Sequence, residues 1–178
     1  MYIELLSFKV TLTGRLLVYS PGRIDVVMSA HADLAQINAE LRSSWTAGAL
    51  KTKEKRIQVL EAVRACVLKH FDEGCAALLA DLGRNLTEAR GELEMVLAEI
   101  DVLVAGLKGG WMNPEPRNTH LLLAPAHTEV RRESFGVCLV MAPFNYPMNL
   151  ALTPVVGALA AGNTVLLKPS EQTVGHNQ

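Results

Sequence analysis

SFGVCLVMAPFNYPMNLALTPVVGALAAGNTVLLKPSE, residues 134–171, is the part of the chain from which its architecture follows. Positions 134–167 hold no Asp, Glu, Lys or Arg, and then Lys168 and Glu171 appear three residues apart. An uncharged run of this length raises the question of a membrane-spanning helix. Pro143, Asn145, Pro147, Asn149, Pro154, Gly157, Gly162 and Asn163 argue against one. In lipid, each break they introduce would strand backbone groups without partners.

The same residues read well as strand, loop, helix and strand. Phe135–Ala142 is continuously apolar, as expected of a parallel strand covered on both faces. Pro143 and Pro147 bracket a loop that continues neither element. Pro147 or Pro154 can open a helix, which runs to Ala161, where Gly162 and Asn163 supply a left-handed cap. Thr164–Lys168 is a second strand, stopped by Pro169. The result is one βαβ unit with a right-handed crossover.

Ligands of open α/β sheets sit beyond the carboxyl ends of the strands. Both unusual clusters fall there, Pro143–Pro147 after the first strand and Lys168–Glu171 after the second. A phosphate loop is excluded. Gly157 and Gly162 have the spacing of one, but Asn163 stands where its lysine belongs, and the segment ends a helix instead of opening one.

Upstream, His31 to about Lys108 carries three or four amphipathic helices. Leu34, Ile37 and Leu41 repeat at helical spacing up to Gly48. Ile57, Leu60, Val63, Val67 and Leu68 form a second face, with Lys51 to Arg56 as solvent charge. A third segment closes at Asp81–Gly83, and a fourth runs from Thr87 to Gly109–Gly110. Lys53, Glu54, Arg64, Glu92 and Glu94 read as solvated faces. Then Pro114, Pro116 and Asn118 break the pattern, and His120–Ala124 and Thr128–Arg132 read as a hairpin whose exposed edges need covering, for instance by a second subunit.

Residues 1–27 differ from the rest. Glu4, Lys9 and Arg15 interrupt any secretory core, and Glu4 and Asp25 weaken a transit-peptide reading. An extended arm, or an extension upstream of a start at Met28, remains. The chain thus divides into 1–27, an N-terminal extension; 28–117, helical; 118–133, a hairpin; and 134–178, the start of a sheet.

Composition narrows the function classes. The 178 residues carry 17 Lys+Arg against 18 Asp+Glu, so no basic field draws in nucleic acid. Cys66, Cys75 and Cys138 are an odd set without CxxC spacing, which makes a disulfide framework or a zinc site unexpected. The five histidines are scattered, so no metal is expected. A reduced, cytoplasmic protein is the expectation.

PFNYPMNL at 143–150 followed by GALAAGNTVLLKPSE at 157–171 resembles the aldehyde dehydrogenase superfamily, closest to its class 3 branch. Asn145 and Lys168 stand 23 positions apart, and the agreement extends back through ESFGVCLVMA and more loosely to about Ala30. The resemblance covers the N-terminal part of a much longer family member. It implies an α/β fold: N-terminal helices and a hairpin leading into the first βαβ unit of a Rossmann-like cofactor domain. It also implies oxidation of an aldehyde to a carboxylic acid with NAD or NADP, through a cysteine nucleophile. Asn145 matches the asparagine that binds the developing oxyanion. Lys168 and Glu171, with Ser170 between them, match residues at the adenosine ribose. Met141, Ala142, Pro143 and Phe144 match the strand end lining the cofactor pocket, although many relatives carry tryptophan in place of Phe144.

In isolation, Asn145 can equally serve a Pro-bracketed turn, and Lys168 and Glu171 can be a surface pair. The family's nucleophilic cysteine, general-base glutamate and glycine-containing cofactor helix all match positions past Gln178. Cys138, placed mid-strand, is not expected to replace the nucleophile. The 178 residues are therefore expected to be a fragment, inactive alone, of an enzyme acting on a small-molecule aldehyde as a homodimer. The alternative is a short non-catalytic family member that associates with full-length subunits.

Overall fold

In the computed structural model, residues 16–20, 23–27 and 34–173 are described, the first two groups as backbone alone. Those two segments are strands, β1 (Leu16–Ser20) and β2 (Arg23–Val27), paired antiparallel with Ser20 opposite Arg23. Pro21, Gly22 and Met28 lie outside the described residues.

Helical spacing builds the next layer. Helix α1 (Leu34–Thr46) buries Ile37 and Leu41, and a turn at Gly48 with φ of +78° ends it. Helix α2 (Lys53–Lys69) starts at Thr52, whose Oγ1 accepts the Lys55 amide, and buries Val59, Leu60, Val63, Cys66 and Val67. Leu68 falls off that face and is exposed. Arg56 is not simple solvent charge either: Nε donates to Leu50 O at 2.8 Å and Nη1 to Ala160 O at 3.1 Å.

Helix α3 (Phe71–Leu82) closes on Gly83 in the left-handed region. Helix α4 (Leu86–Lys108) is capped by Asn85, whose Oδ1 accepts the Glu88 amide at 2.9 Å, so it starts one residue earlier than the sequence suggested. Ala89, Leu93, Val96, Ile100, Leu103 and Leu107 form its buried stripe, at the three- and four-residue spacing that keeps one face inward.

The hairpin differs from expectation in its first strand. β3 is Glu115–Arg117, paired antiparallel with β4 (Thr128–Val130), while Leu121–Leu123 is a 3₁₀ turn. Backbone bonds explain the shift. Leu123 N donates to His120 O at 2.8 Å, Ala124 N to Leu121 O at 3.1 Å and Ala126 N to Leu123 O at 2.8 Å, leaving these amides unavailable to a ladder.

Next come β5 (Val137–Met141), α5 (Asn149–Ala160) and β6 (Thr164–Lys168), the expected βαβ unit. β5 and β6 are parallel, with Val137 opposite Thr164 and Met141 opposite Lys168. The sheet order is β2-β1-β6-β5, so the N-terminal hairpin widens a sheet that the sequence reading left at two strands. Helix α5 opens at Asn149 and carries Pro154 inside it, not at its start. The ring deletes one backbone bond, a cost offset by burial of Val156, Leu159 and Ala160 against α2 and α4. At its end only Gly162, at φ +92°, is left-handed; Asn163 is not.

Side chains of β6 alternate between two helical covers. Val165 and Leu167 face α5, and Leu166 packs with Ile37 and Leu41 of α1. Helix α1 covers only the start of β5. Leu139 is 58% and Met141 71% exposed, so β5 is an edge strand open on one face, not a strand covered on both. Phe135, 93% exposed, precedes it outside the ladder. No helix among the described residues is long and apolar enough to cross a membrane.

Candidate functional site

The parallel register brings the two sequence clusters to one edge of the sheet. Met141 pairs with Lys168, and Ala142 N donates to Lys168 O at 3.0 Å, carrying the ladder one residue further. Pro143 and Phe144 then leave the sheet, exposed, while Ala142 stays buried beside Ala151 and Leu167.

The loop from 142 to 148 is held from outside the sheet. Glu92, on the buried stripe of α4, is 2% exposed and its Oε1 accepts the amides of Met148 at 2.8 Å and Asn149 at 3.0 Å. A carboxylate placed there satisfies free N–H groups at the start of α5 and meets the positive end of the helix dipole. This corrects the reading of Glu92 as a solvated charge. Its Oε2 lies 3.9 Å from Arg84 Nε. Arg84 Nη2 donates to the backbone carbonyl of Asn145, and its guanidinium stacks 4.2 Å from the centre of the Tyr146 ring. Asn145 itself is exposed.

On the neighbouring strand, Lys168 Nζ pairs with the Glu171 carboxylate and donates to Pro169 O at 3.2 Å. Hydrogen bonding from Lys168 and from backbone N–H holds the Glu171 carboxyl below its ordinary range. Ser170 is buried, and its Oγ accepts the Gln172 amide at 3.2 Å, which shapes the turn. Met141, Ala142, Lys168 and Glu171 are thus gathered, whereas Asn145 is tied to the α3–α4 connection.

The cysteines lie apart from this edge. Cys66 and Cys75 are buried, and Cys138 is half-buried mid-strand. Burial pushes the Cys66 thiol up to about 12 and raises those of Cys75 and Cys138. Among the described residues no group of three or more His, Cys, Asp or Glu is placed to hold a metal.

Sequence reasoning missed Arg84 and Glu92. The available signal was position: Glu92 stands between Ala89 and Leu93 on an otherwise apolar stripe, where an unpartnered charge is costly.

The sequence model of the aldehyde dehydrogenase family matches residues 15–177. Aldehyde dehydrogenase family 3 member H1 of Arabidopsis thaliana is 38% identical over 141 residues, 79% of this chain and 29% of that protein. Aldehyde dehydrogenase family 3 member B3 of Mus musculus is 37% identical over 132 residues, 74% of this chain and 27% of that protein. The chain therefore spans under a third of the length of these relatives. A substrate-bound Staphylococcus aureus AldH structure superposes with a TM-score of 0.74 at 30% identity, over 79% of this chain and 31% of that one. The fold recurs in an NADP-dependent glyceraldehyde-3-phosphate dehydrogenase of Bacillus halodurans (21% identity, TM-score 0.68) and a NAD-dependent benzaldehyde dehydrogenase of Corynebacterium glutamicum (18%, 0.70).

Proposed function

The chain belongs to the aldehyde dehydrogenase family, and from that premise we propose that it supplies the cofactor edge and the oxyanion donor for NAD(P)-dependent oxidation of an aldehyde to a carboxylic acid. The observation that carries this reading is the pairing of Met141 with Lys168, which sets the PFNYP loop and the KPSE turn side by side at the carboxyl ends of β5 and β6.

The donor set there fits a ribose. Lys168 is a cation and Glu171 an acceptor, the two partners a vicinal diol needs, and both are exposed where a ligand can replace their mutual bond. Met141, Ala142, Pro143 and Phe144 would wall the cofactor. When bound, the nicotinamide supplies the hydride acceptor. Asn145 donates its carboxamide N–H to the oxygen that becomes anionic when a thiolate attacks the aldehyde, an interaction worth about 10²–10³ in turnover for one such donor. NAD and NADP both remain compatible with Glu171.

The nucleophile comes from outside these 178 residues. Cys66 and Cys75 are buried with raised thiol pKa values, and Cys138 sits within β5. We expect the 178 residues alone not to turn over aldehyde. In the same reading the protein works in the reducing cytoplasm, and its hairpin pairs with a like subunit. Support for pairing is the apolar tip of the hairpin, where Leu121 is 85% and Leu122 87% exposed. A non-catalytic role as a partner of other family subunits draws on that same surface.

The test is to read the native transcript past the codon for Gln178 and assay the encoded protein for aldehyde-dependent NAD(P)H formation. Turnover, reduced about 10²–10³-fold by Asn145→Ala, is the expected result. No turnover from the complete reading frame overturns the enzyme reading and leaves the partner role. Turnover by the 178 residues alone, abolished by Cys138→Ser, overturns the assignment of the nucleophile.

A further inference from the structure

The loop that carries Asn145 is gripped at its middle and at its exit by one pair of charged residues that no sequence motif marked. Glu92 Oε1 accepts the Met148 and Asn149 amides at the loop's exit. Arg84 Nη2 donates to Asn145 O, and the guanidinium lies over the Tyr146 ring. Between the two grips, Glu92 Oε2 has no hydrogen-bond partner and faces Arg84 Nε at 3.9 Å, close enough for charge pairing.

The base of this clamp is stiff. Arg84 lies in the short α3–α4 connection, between Gly83 in the left-handed region and Asn85 capping α4. Both flanking residues have set backbone geometry, so the stem of Arg84 starts from a defined point. Its side chain is 14% exposed and that of Glu92 is fully buried. In this poorly solvated setting a charge pair and a cation–π stack are weakened less by water than at an open surface.

We propose that Arg84, oriented by Glu92, is a positioning residue that fixes the backbone of Asn145 and so aims its carboxamide. The assignment deepens the aldehyde dehydrogenase reading and rests on it for the use of that carboxamide, though not for the geometry. The division of labour follows from chemistry. A carboxamide binds an oxyanion well only where its direction is set beforehand, because reorganisation during reaction removes the benefit. Asn145 has no fold-imposed direction of its own, being an exposed residue in a bend between two prolines. Arg84 supplies one through the carbonyl of that same residue. Tyr146 presents its ring as the platform that keeps the guanidinium flat. Lysine would retain the charge and lose both the planar fork and the stacking.

The test is ¹⁵N relaxation on the 178-residue chain and three variants, Arg84→Met, Arg84→Lys and Tyr146→Leu. In the parent chain, Asn145 and Tyr146 are expected to have order parameters near those of rigid backbone, about 0.85. Arg84→Met and Arg84→Lys are expected to drop both residues below about 0.6 while Val96, Ile100 and Val156 stay rigid. Tyr146→Leu leaves the Glu92 charge paired and should loosen Asn145 by a smaller amount. An Asn145 that stays ordered in all three variants overturns the proposal. A loss spread evenly over α4 and α5 overturns it too, since Arg84 would then serve stability alone. Neither outcome depends on turnover, so both are separable from failure of the enzyme reading.

Discussion

The Asn163 side chain binds the backbone of Gly136: Oδ1 accepts the Gly136 amide at 3.0 Å, joining the residue before β6 to the residue before β5 across 27 positions. Nδ2 donates to Ala158 O at 3.1 Å, and Thr164 N donates to Gly136 O at 2.9 Å alongside. One buried carboxamide therefore fastens the amino ends of the parallel pair to the end of the helix that connects them. Asn163→Leu leaves the Gly136 amide without a partner while Ala158 O keeps its bond from Asn163 N. The expected cost is about 1–3 kcal/mol, read as a lower urea midpoint at unchanged slope.

Gly162→Ala tests the neighbouring turn. At φ of +92° an alanine is strained, and its Cβ would stand 2.4 Å from Arg56 Nη2. The backbone part alone is expected to cost about 1–2 kcal/mol. In an Arg56→Ala background the steric part disappears and the backbone part stays. A double-mutant cycle by denaturant unfolding should show a smaller cost of Gly162→Ala in that background; equal costs would mean the guanidinium moves aside freely.

The sequence was most legible where local chemistry and tertiary structure agree. Thr164–Lys168 came out residue for residue because Gly162 and Pro169 bracket it and its apolar run has no helical option at that length. Pro154 misled because helix-start preference is a local quantity, whereas α5 is held by burial against two other helices. The hairpin slipped because amides at 123, 124 and 126 found acceptors three residues back, an outcome that strand propensity does not price. At the sheet edge, the side-by-side placement of residues 143–147 and 168–171 was readable. Arg84 and Glu92 were not, since their partners at 145–149 are reached only through the fold.

Cys66 makes a prediction about alkaline pH. Burial raises its thiol from 9.0 to about 12 in the folded chain. Above about pH 9 the unfolded thiol sheds its proton while the folded one keeps it, so the folded state binds more protons and stability falls as pH rises. The contribution is complete below pH 9 and is lost progressively up to about 12. Cys66→Ala removes this titration and leaves a cavity whose cost does not depend on pH. The stability gap between parent and variant should shrink from pH 9 towards 12, measured by urea unfolding at each pH. A gap constant across that window would mean the thiol ionises as freely as in the unfolded chain.

Lys168→Ala should move the Glu171 titration and leave stability almost unchanged. Lys168 is the first cause of the lowered Glu171 carboxyl, so the variant should return that pKa towards its ordinary value, visible in a carboxyl ¹³C titration. A depressed carboxyl pKa stabilises above the unfolded value and stops doing so as pH falls through the folded one. Both side chains are exposed, so the melting temperature at neutral pH should barely move. An unmoved Glu171 titration would show that its backbone hydrogen bond, and not Lys168, holds it low.

The hairpin tip yields the last prediction. Leu121 and Leu122 project from a 3₁₀ turn at 85% and 87% exposure, with Leu123 beside them. The β3–β4 ladder beneath is held by its own register, and Glu115 pairs with both Arg117 and Arg132. Changing a tip side chain therefore leaves the hairpin formed. Three consecutive exposed leucines on a two-stranded ribbon make an apolar patch of the kind that association buries. Sedimentation velocity of the parent chain should show a concentration-dependent dimer, and Leu122→Asp should weaken it at least tenfold with no change in melting temperature. If the parent chain sediments as a monomer at every concentration, or the variant dimerises as well as the parent, the tip is not the pairing surface.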